Sequence, residues 1–274
     1  MVTKVIISRA LGCNYKALAC FRITLASLLL AELLLRFRYI EAFYSDEGTL
    51  PLNLLLPKID DVYKIVCVHC WNGTIAYQNF LLSLQVVLAF SLLIGYRCRF
   101  CASMSWFLYL SITLRNTWLA FILDRYFHYM LFYLSFLPSG VIWSVDAYLS
   151  KKEGGPPPAN ETICNYATAA IKLQILWIYL DAGVGKYLDP LGGWTFYAPI
   201  PALDTYTRHT VGARYLYALL GPFGLRLMTP LVVWVEILCA PICLFGSVFE
   251  LDKVVKLTIA IIISLHVGIS ITLR

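Results

Sequence analysis

Charge is what this chain has least of. Asp, Glu, Lys and Arg make up 14% of its 274 residues, against roughly 25% in a soluble globular domain. So little charge excludes a fold that is wetted on all sides. The surplus of +6 is thinly spread, and it lacks the clustered basic face that a nucleic-acid binder presents. No cleavable leader is expected either, because the first apolar run starts late, is long and contains Arg22 and Glu32. No internal repeat is evident, so the inverted halves and paired broken helices of a secondary transporter find no support.

Apolar residues fill 60% of the chain and the mean hydropathy is +0.73. They fall into about seven segments, near 17–35, 79–95, 101–114, 126–143, 163–184, 231–249 and 254–273. A bilayer-crossing helix needs about 20 apolar residues. The expectation is therefore an all-α, polytopic transmembrane helix bundle with about seven spans and no soluble β domain. Polar connectors cover 36–76 and 186–228, and a short amphipathic piece covers 115–124. The most polar stretch, 144–160, holds Lys151-Lys-Glu-Gly-Gly-Pro-Pro-Pro158, a loop by composition.

Orientation follows from the basic groups. Lys4, Arg9 and Lys16 precede the first segment, and Arg97 and Arg99 follow the second. Lys151 and Lys152 follow the fourth, and Lys253 and Lys256 open the seventh. If every segment crosses once, all of these fall on one side, which the positive-inside rule makes cytoplasmic. The sequon at Asn160 then lies on the wrong side for glycosylation, and that at Asn72 lies on the right side but close to the bilayer. The expected setting is the endoplasmic reticulum in a eukaryote or the inner membrane in a bacterium.

Nine cysteines include two C-x-x-C pairs, Cys67/Cys70 and Cys98/Cys101. That spacing suits zinc, but the topology puts the pairs on opposite faces, so no metal site is expected. Cys239 and Cys243 lie on an apolar helix, where cysteine is an ordinary small hydrophobe.

Ionisable residues within apolar segments merit a role. Glu32 and Arg36 are four apart, on one helix face, and should pair. Arg22 should snorkel towards the near interface. Lys172 and Gln174 should face other helices, and His266 sits midway along the last segment. The most informative stretch is Tyr179-Leu-Asp-Ala-Gly-Val-Gly-Lys186-Tyr-Leu-Asp-Pro190, where an apolar run ends on a lysine. Two readings of Lys186 stay open. A lysine at a bilayer edge is usually an anchor, whereas one held away from water at the mouth of a bundle becomes a base. Asp181, five residues earlier, lies roughly 140° around the helix and is no automatic partner.

Several blocks occur in an order that resembles the HTTM (horizontally transferred transmembrane) domain of the vitamin K-dependent gamma-carboxylase superfamily. They are Phe21-Arg-Ile-Thr, Tyr44-Ser-Asp-Glu-Gly-Thr-Leu-Pro51, Gly95-Tyr-Arg97, Leu114-Arg-Asn116, Phe136-Leu-Pro-Ser139 with Trp143-Ser-Val-Asp146, Asn165-Tyr-Ala167, Ala182-Gly-Val-Gly-Lys186 with Trp194, and Leu265-His266. The resemblance implies a single membrane domain over 1–274, with the family's C-terminal lumenal domain absent or truncated. It implies Lys186 as the base towards vitamin K hydroquinone or another isoprenoid quinone, in carboxylation and epoxidation of a glutamyl protein substrate, a lyase chemistry. Trp143, Asp146, Trp194 and His266 become candidate ligand-binding residues. Where the carboxylases carry an Asn-His pair, this chain has Gly140 and Val141. The alternative is a non-catalytic membrane ligand-binding or scaffold protein that retains the fold.

Overall fold

A computed structural model describes residues 2–154, 161–207 and 210–272, with side chains at 2–4, 122–123, 206–207 and 272 left aside. Asn160 and the prolines at 156–158 therefore lie outside the described residues, as do Arg274 and the Lys4 side chain.

The chain is almost wholly helical: α1 (Val2–Leu11), α2 (Tyr15–Phe37), α3 (Ile40–Tyr44), α4 (Leu52–Leu55), α5 (Asp61–Val66), α6 (Ile75–Ile94), α7 (Cys98–Arg115), α8 (Ile122–Phe136), α9 (Val145–Lys152), α10 (Tyr166–Tyr187), α11 (Ala202–Thr207), α12 (Val211–Val248) and α13 (Asp252–Thr272). Among the described residues, the strands are a two-residue pair, β1 (Cys13–Asn14) and β2 (Thr162–Ile163), antiparallel with Cys13 opposite Ile163. Five helices, α2, α6, α10, α12 and α13, are long and apolar enough to cross a membrane. The chain thus reads as an integral, multi-pass membrane protein.

The other two expected spans exist as helices with different properties. Proline at 138 cannot continue a helix, and α8 stops at Phe136 after 15 residues, about 22 Å of rise. The fourth segment, expected through residue 143, is a loop from Leu137 on. Helix α7 has 18 residues, but Ser105, Ser111, Thr113 and Arg115 are buried along it, so it is less apolar than its neighbours. The long connector before the sixth span also shrinks. Helix α12 already starts at Val211, breaks at Gly221 with φ 63° and ψ 178°, and resumes at Pro222. Only glycine adopts that backbone readily, and proline suits the first turn of the helix that follows.

The chain forms two compact units. One runs from Cys13 to Thr168; the other combines the segment up to Gly12 with everything from Ala169 on. In the first, α2, α6, α7 and α8 pack on one another. Their ends are set locally: the Asn14 side chain accepts from Lys16 N at 2.7 Å, and Gly95 closes α6 at φ 78°. In the second unit α12 packs on α13, α11 and α1. The first turn of α10, still within the first unit, is a reciprocal cap, in which Thr168 N donates to Asn165 Oδ1 and Asn165 N to Thr168 Oγ1, both at 2.9 Å.

Candidate functional site

In the second unit, α10 carries Tyr179, Gly183 and Lys186 along one face, at spacings of four and three. A Cβ on Gly183 would lie 2.6 Å from Ile237 Cγ1 and 3.0 Å from its backbone nitrogen. The missing side chain lets α12 approach α10 at this level, and Glu236 comes with it. Lys186 Nζ donates to Glu236 Oε2 at 2.5 Å. The side chains retain 24% and 10% exposure. The ammonium also stands 5.3 Å from the Trp194 ring centroid, at cation–π range. Two turns along α10, Tyr179 Oη meets His266 Nε2 of α13 at 2.7 Å.

The structure therefore brings Lys186 and Trp194 together, and it gives His266 a hydrogen-bond partner. It replaces the unpartnered lysine of the sequence reading with an ion pair. Asp181 is exposed; the partner is Glu236, the one acidic residue in the apolar run 231–249. An acid so placed was itself a signal. What lay out of sequence view was its register against α10, because that depends on two helices fifty residues apart.

Trp143 and Asp146 lie in the first unit, at the end of the bundle where α2 and α7 begin and α6 and α8 finish. Asp146 Oδ1 accepts from Arg97 N at 2.8 Å and Oδ2 from Cys98 N at 3.0 Å. It caps α7 from fifty residues away, favourably for the helix dipole. Trp143 adopts φ 51°; the residue is 57% exposed and its carbonyl accepts from Arg22 Nη2 at 2.5 Å. Arg22 also donates to Ser139 O at 2.6 Å and is fully buried. It does not snorkel: the carbonyls of the 137–143 loop take the place of interfacial water. At Gly140, a Cβ would meet Cys98 Sγ at 2.8 Å and Asp146 Oδ2 at 3.0 Å. The close packing leaves little room for a larger side chain there.

At the opposite end of the same unit, Arg36 pairs with Glu32 as expected and also with Asp124 at 2.9 Å. The Tyr109 hydroxyl donates to Asp124 Oδ1 at 2.6 Å, and Arg36 donates to Tyr44 Oη at 2.5 Å. Two of the motif blocks dock here. Arg115 Nη1 donates to Leu50 O at 2.7 Å, and Asn116 Nδ2 to Phe43 O at 2.9 Å. Cys67 and Cys70 form a disulfide, while Cys98 and Cys101, at the far end of α7, are free thiols. His69, between the disulfide cysteines, is buried and lies 2.9 Å from Ser111 Oγ. Burial first, then the cations Arg115 and Arg36, pulls its pKa down to about 3. Among the described residues no cluster of three or more His, Cys, Asp or Glu is arranged to hold a metal.

No family model, no curated protein and no solved structure matches the chain.

Proposed function

We propose that the chain is a seven-crossing membrane protein of the HTTM type in which Lys186 and Glu236 form a proton-transfer pair for an isoprenoid quinone. The observation that carries this reading is the Lys186–Glu236 contact at 2.5 Å, largely withdrawn from solvent, beside an indole ring. With the ammonium proton moved onto Glu236, the Lys186 amine has a lone pair that takes a hydroxyl proton from the quinol, leaving lysine charged, Glu236 protonated and the quinol an oxyanion. The Tyr187 and Trp234 rings, 5.9 Å apart, add a second aromatic surface on the same two helices, suited to a flat ring. A bound vitamin K-type hydroquinone would supply the reducing electrons for oxygen chemistry. The chain's own part is to hold the lysine's proton on Glu236, accept the hydroxyl proton at the Lys186 amine so freed, and keep water from the apolar side.

The test uses purified full chain in phosphatidylcholine nanodiscs with vitamin K hydroquinone and oxygen, assayed for epoxide. Wild type should form epoxide, and Lys186→Met and Glu236→Gln should each lower the rate at least about a hundredfold, the usual scale of a general base. No epoxide above a protein-free blank from the wild type overturns the enzymatic reading. A specific observation favours the alternative, a non-catalytic bundle that retains the fold: Gly140 is packed where the carboxylase pattern needs a polar side chain. On that reading the pair is structural, and Lys186→Met changes stability without any turnover to lose.

A further inference from the structure

At the basic end of the first unit lies a cavity of about 1340 Å³. Lys16, Arg97, Arg99 and Lys151 line it, and so do the apolar side chains of Phe100, Ile142 and Trp143. All four cations are exposed, and among the described residues none has a carboxylate within ion-pair distance. The one acid in the lining, Asp146, is already engaged by the backbone N–H groups that open α7. Behind the loop that forms one wall, Arg22 adds a fifth positive charge. It is wholly buried, bound to carbonyls and to the Cys98 sulfur, with its Nε unpartnered. A buried cation with no counter-ion is costly, and its field adds to that of the four lining it. The cavity therefore has excess positive charge and an apolar rim, at the end of helices that the positive-inside pattern places at the cytoplasmic leaflet.

We propose that this cavity binds the phosphate headgroup of an anionic phospholipid from the surrounding leaflet, with its first acyl carbons against Phe100, Ile142 and Trp143. Lys16, Arg99 and Lys151 supply point and fork-shaped donors for phosphate oxygens, and Arg22 sets the potential from beneath. The apolar rim distinguishes a lipid from a soluble phosphate: two exposed rings beside a charged floor match an amphiphile's two halves. The site is independent of the chemistry assigned to Lys186.

The experiment reconstitutes the full chain in phosphatidylcholine nanodiscs and measures, by electron paramagnetic resonance, the association of spin-labelled phosphatidylglycerol relative to spin-labelled phosphatidylcholine. The wild type should prefer the anionic lipid. Lys151→Gln should lower that preference about fivefold, the effect of one cation near an anionic headgroup. The triple variant Lys16→Gln/Arg99→Gln/Lys151→Gln should bring the ratio close to one. Lys253→Gln/Lys256→Gln, which removes charge elsewhere, should leave the preference intact. Equal association of both lipids with wild type overturns the proposal, as does a preference that survives the triple variant. If the triple variant does not fold, Lys151→Gln alone decides, since its side chain is exposed. Complete displacement by 100 mM inorganic phosphate, with no loss when that salt is replaced by chloride of equal ionic strength, overturns the lipid assignment in favour of a soluble phosphate.

Discussion

The two units bury charge in different ways. The first, Cys13–Thr168, encloses Arg22, Arg115, His69, Gln78 and Gln85 almost completely. Backbone carbonyls accept from several of their donors, as when Gln78 Nε2 donates to His69 O at 2.8 Å and Gln85 Nε2 to Leu108 O at 2.9 Å, while Arg22 Nε, Arg115 Nε and Gln78 Oε1 have no hydrogen-bond partner among the described residues. The second keeps its charge to few places. Among its described residues the half-buried ion pair is Lys186–Glu236, and α13 turns Leu257, Ile263 and Val267 outward. A helix whose apolar side chains face out is suited to lipid. The contrast teaches where rigidity is concentrated. Polar groups in the first unit have many fixed partners and tolerate little change, whereas the second rests on apolar packing, the half-buried Lys186–Glu236 pair and the exposed Arg9–Glu250 pair.

The largest test of that contrast is acid. His69 has a folded pKa of about 3, below the ordinary value of about 6.5. Its neutral form thus supports the fold fully above pH 6.5, and that support is lost as pH falls towards 3. The loss amounts to about 1.4 kcal/mol per pH unit, about 4 kcal/mol by pH 3.5. Unfolding followed in detergent should show this slope, and a His69→Gln variant should flatten it. An unchanged slope in the variant would place the acid sensitivity elsewhere.

Next comes Arg22→Met, which keeps the length of the side chain but leaves the Ser139 and Trp143 carbonyls unpaired. Orphaned buried acceptors should cost about 3 kcal/mol, read as a lower thermal midpoint and faster proteolysis in the 137–144 loop. If the second unit follows the lipid-facing pattern instead, its loop 249–251 should keep its wild-type cleavage rate in the same experiment.

For the second unit, Lys186→Met and Glu236→Gln should each cost about 2 kcal/mol, because either leaves one charge of a desolvated pair behind. The double variant should recover part of that loss, with a coupling of at least about 1 kcal/mol in a double-mutant cycle. Additive effects would mean the pair is not formed. The smallest expected effect belongs to Gly183→Ala. The new methyl group collides with Ile237, and the overpacking should cost about 1.5 kcal/mol. It should also weaken the coupling between Lys186 and Glu236, since α12 must shift away to make room.

Much of the architecture was legible beforehand. Length and apolarity marked the five helices long and apolar enough to cross a membrane, since a residue's hydropathy is its own property and needs no partner. The Glu32–Arg36 pair was legible for the same kind of reason: four residues along a helix always share a face. Its extension to Asp124, Tyr44 and Tyr109 was not, because three separate segments converge there. Arg22 was misjudged for a related reason. Sequence shows how far a charge lies from an interface but not whether a loop folds over it, and here the left-handed turn at Trp143 turns a carbonyl onto the guanidinium. Lys186 is legible as a charge at the end of an apolar run, whereas its pairing with Glu236 depends on how α10 meets α12.

Composition and spacing by themselves made this an all-helical membrane protein and marked Lys186 as the charged residue closing an apolar run. Tertiary structure alone decided that Glu236 would reach that lysine across the gap at Gly183, that Asp146 would cap α7, and that Arg22 would lie beneath a cationic cavity. The physical reason is range: hydropathy and helical periodicity act within a few residues, whereas a charge finds its counter-charge wherever packing brings a distant helix within about 3 Å.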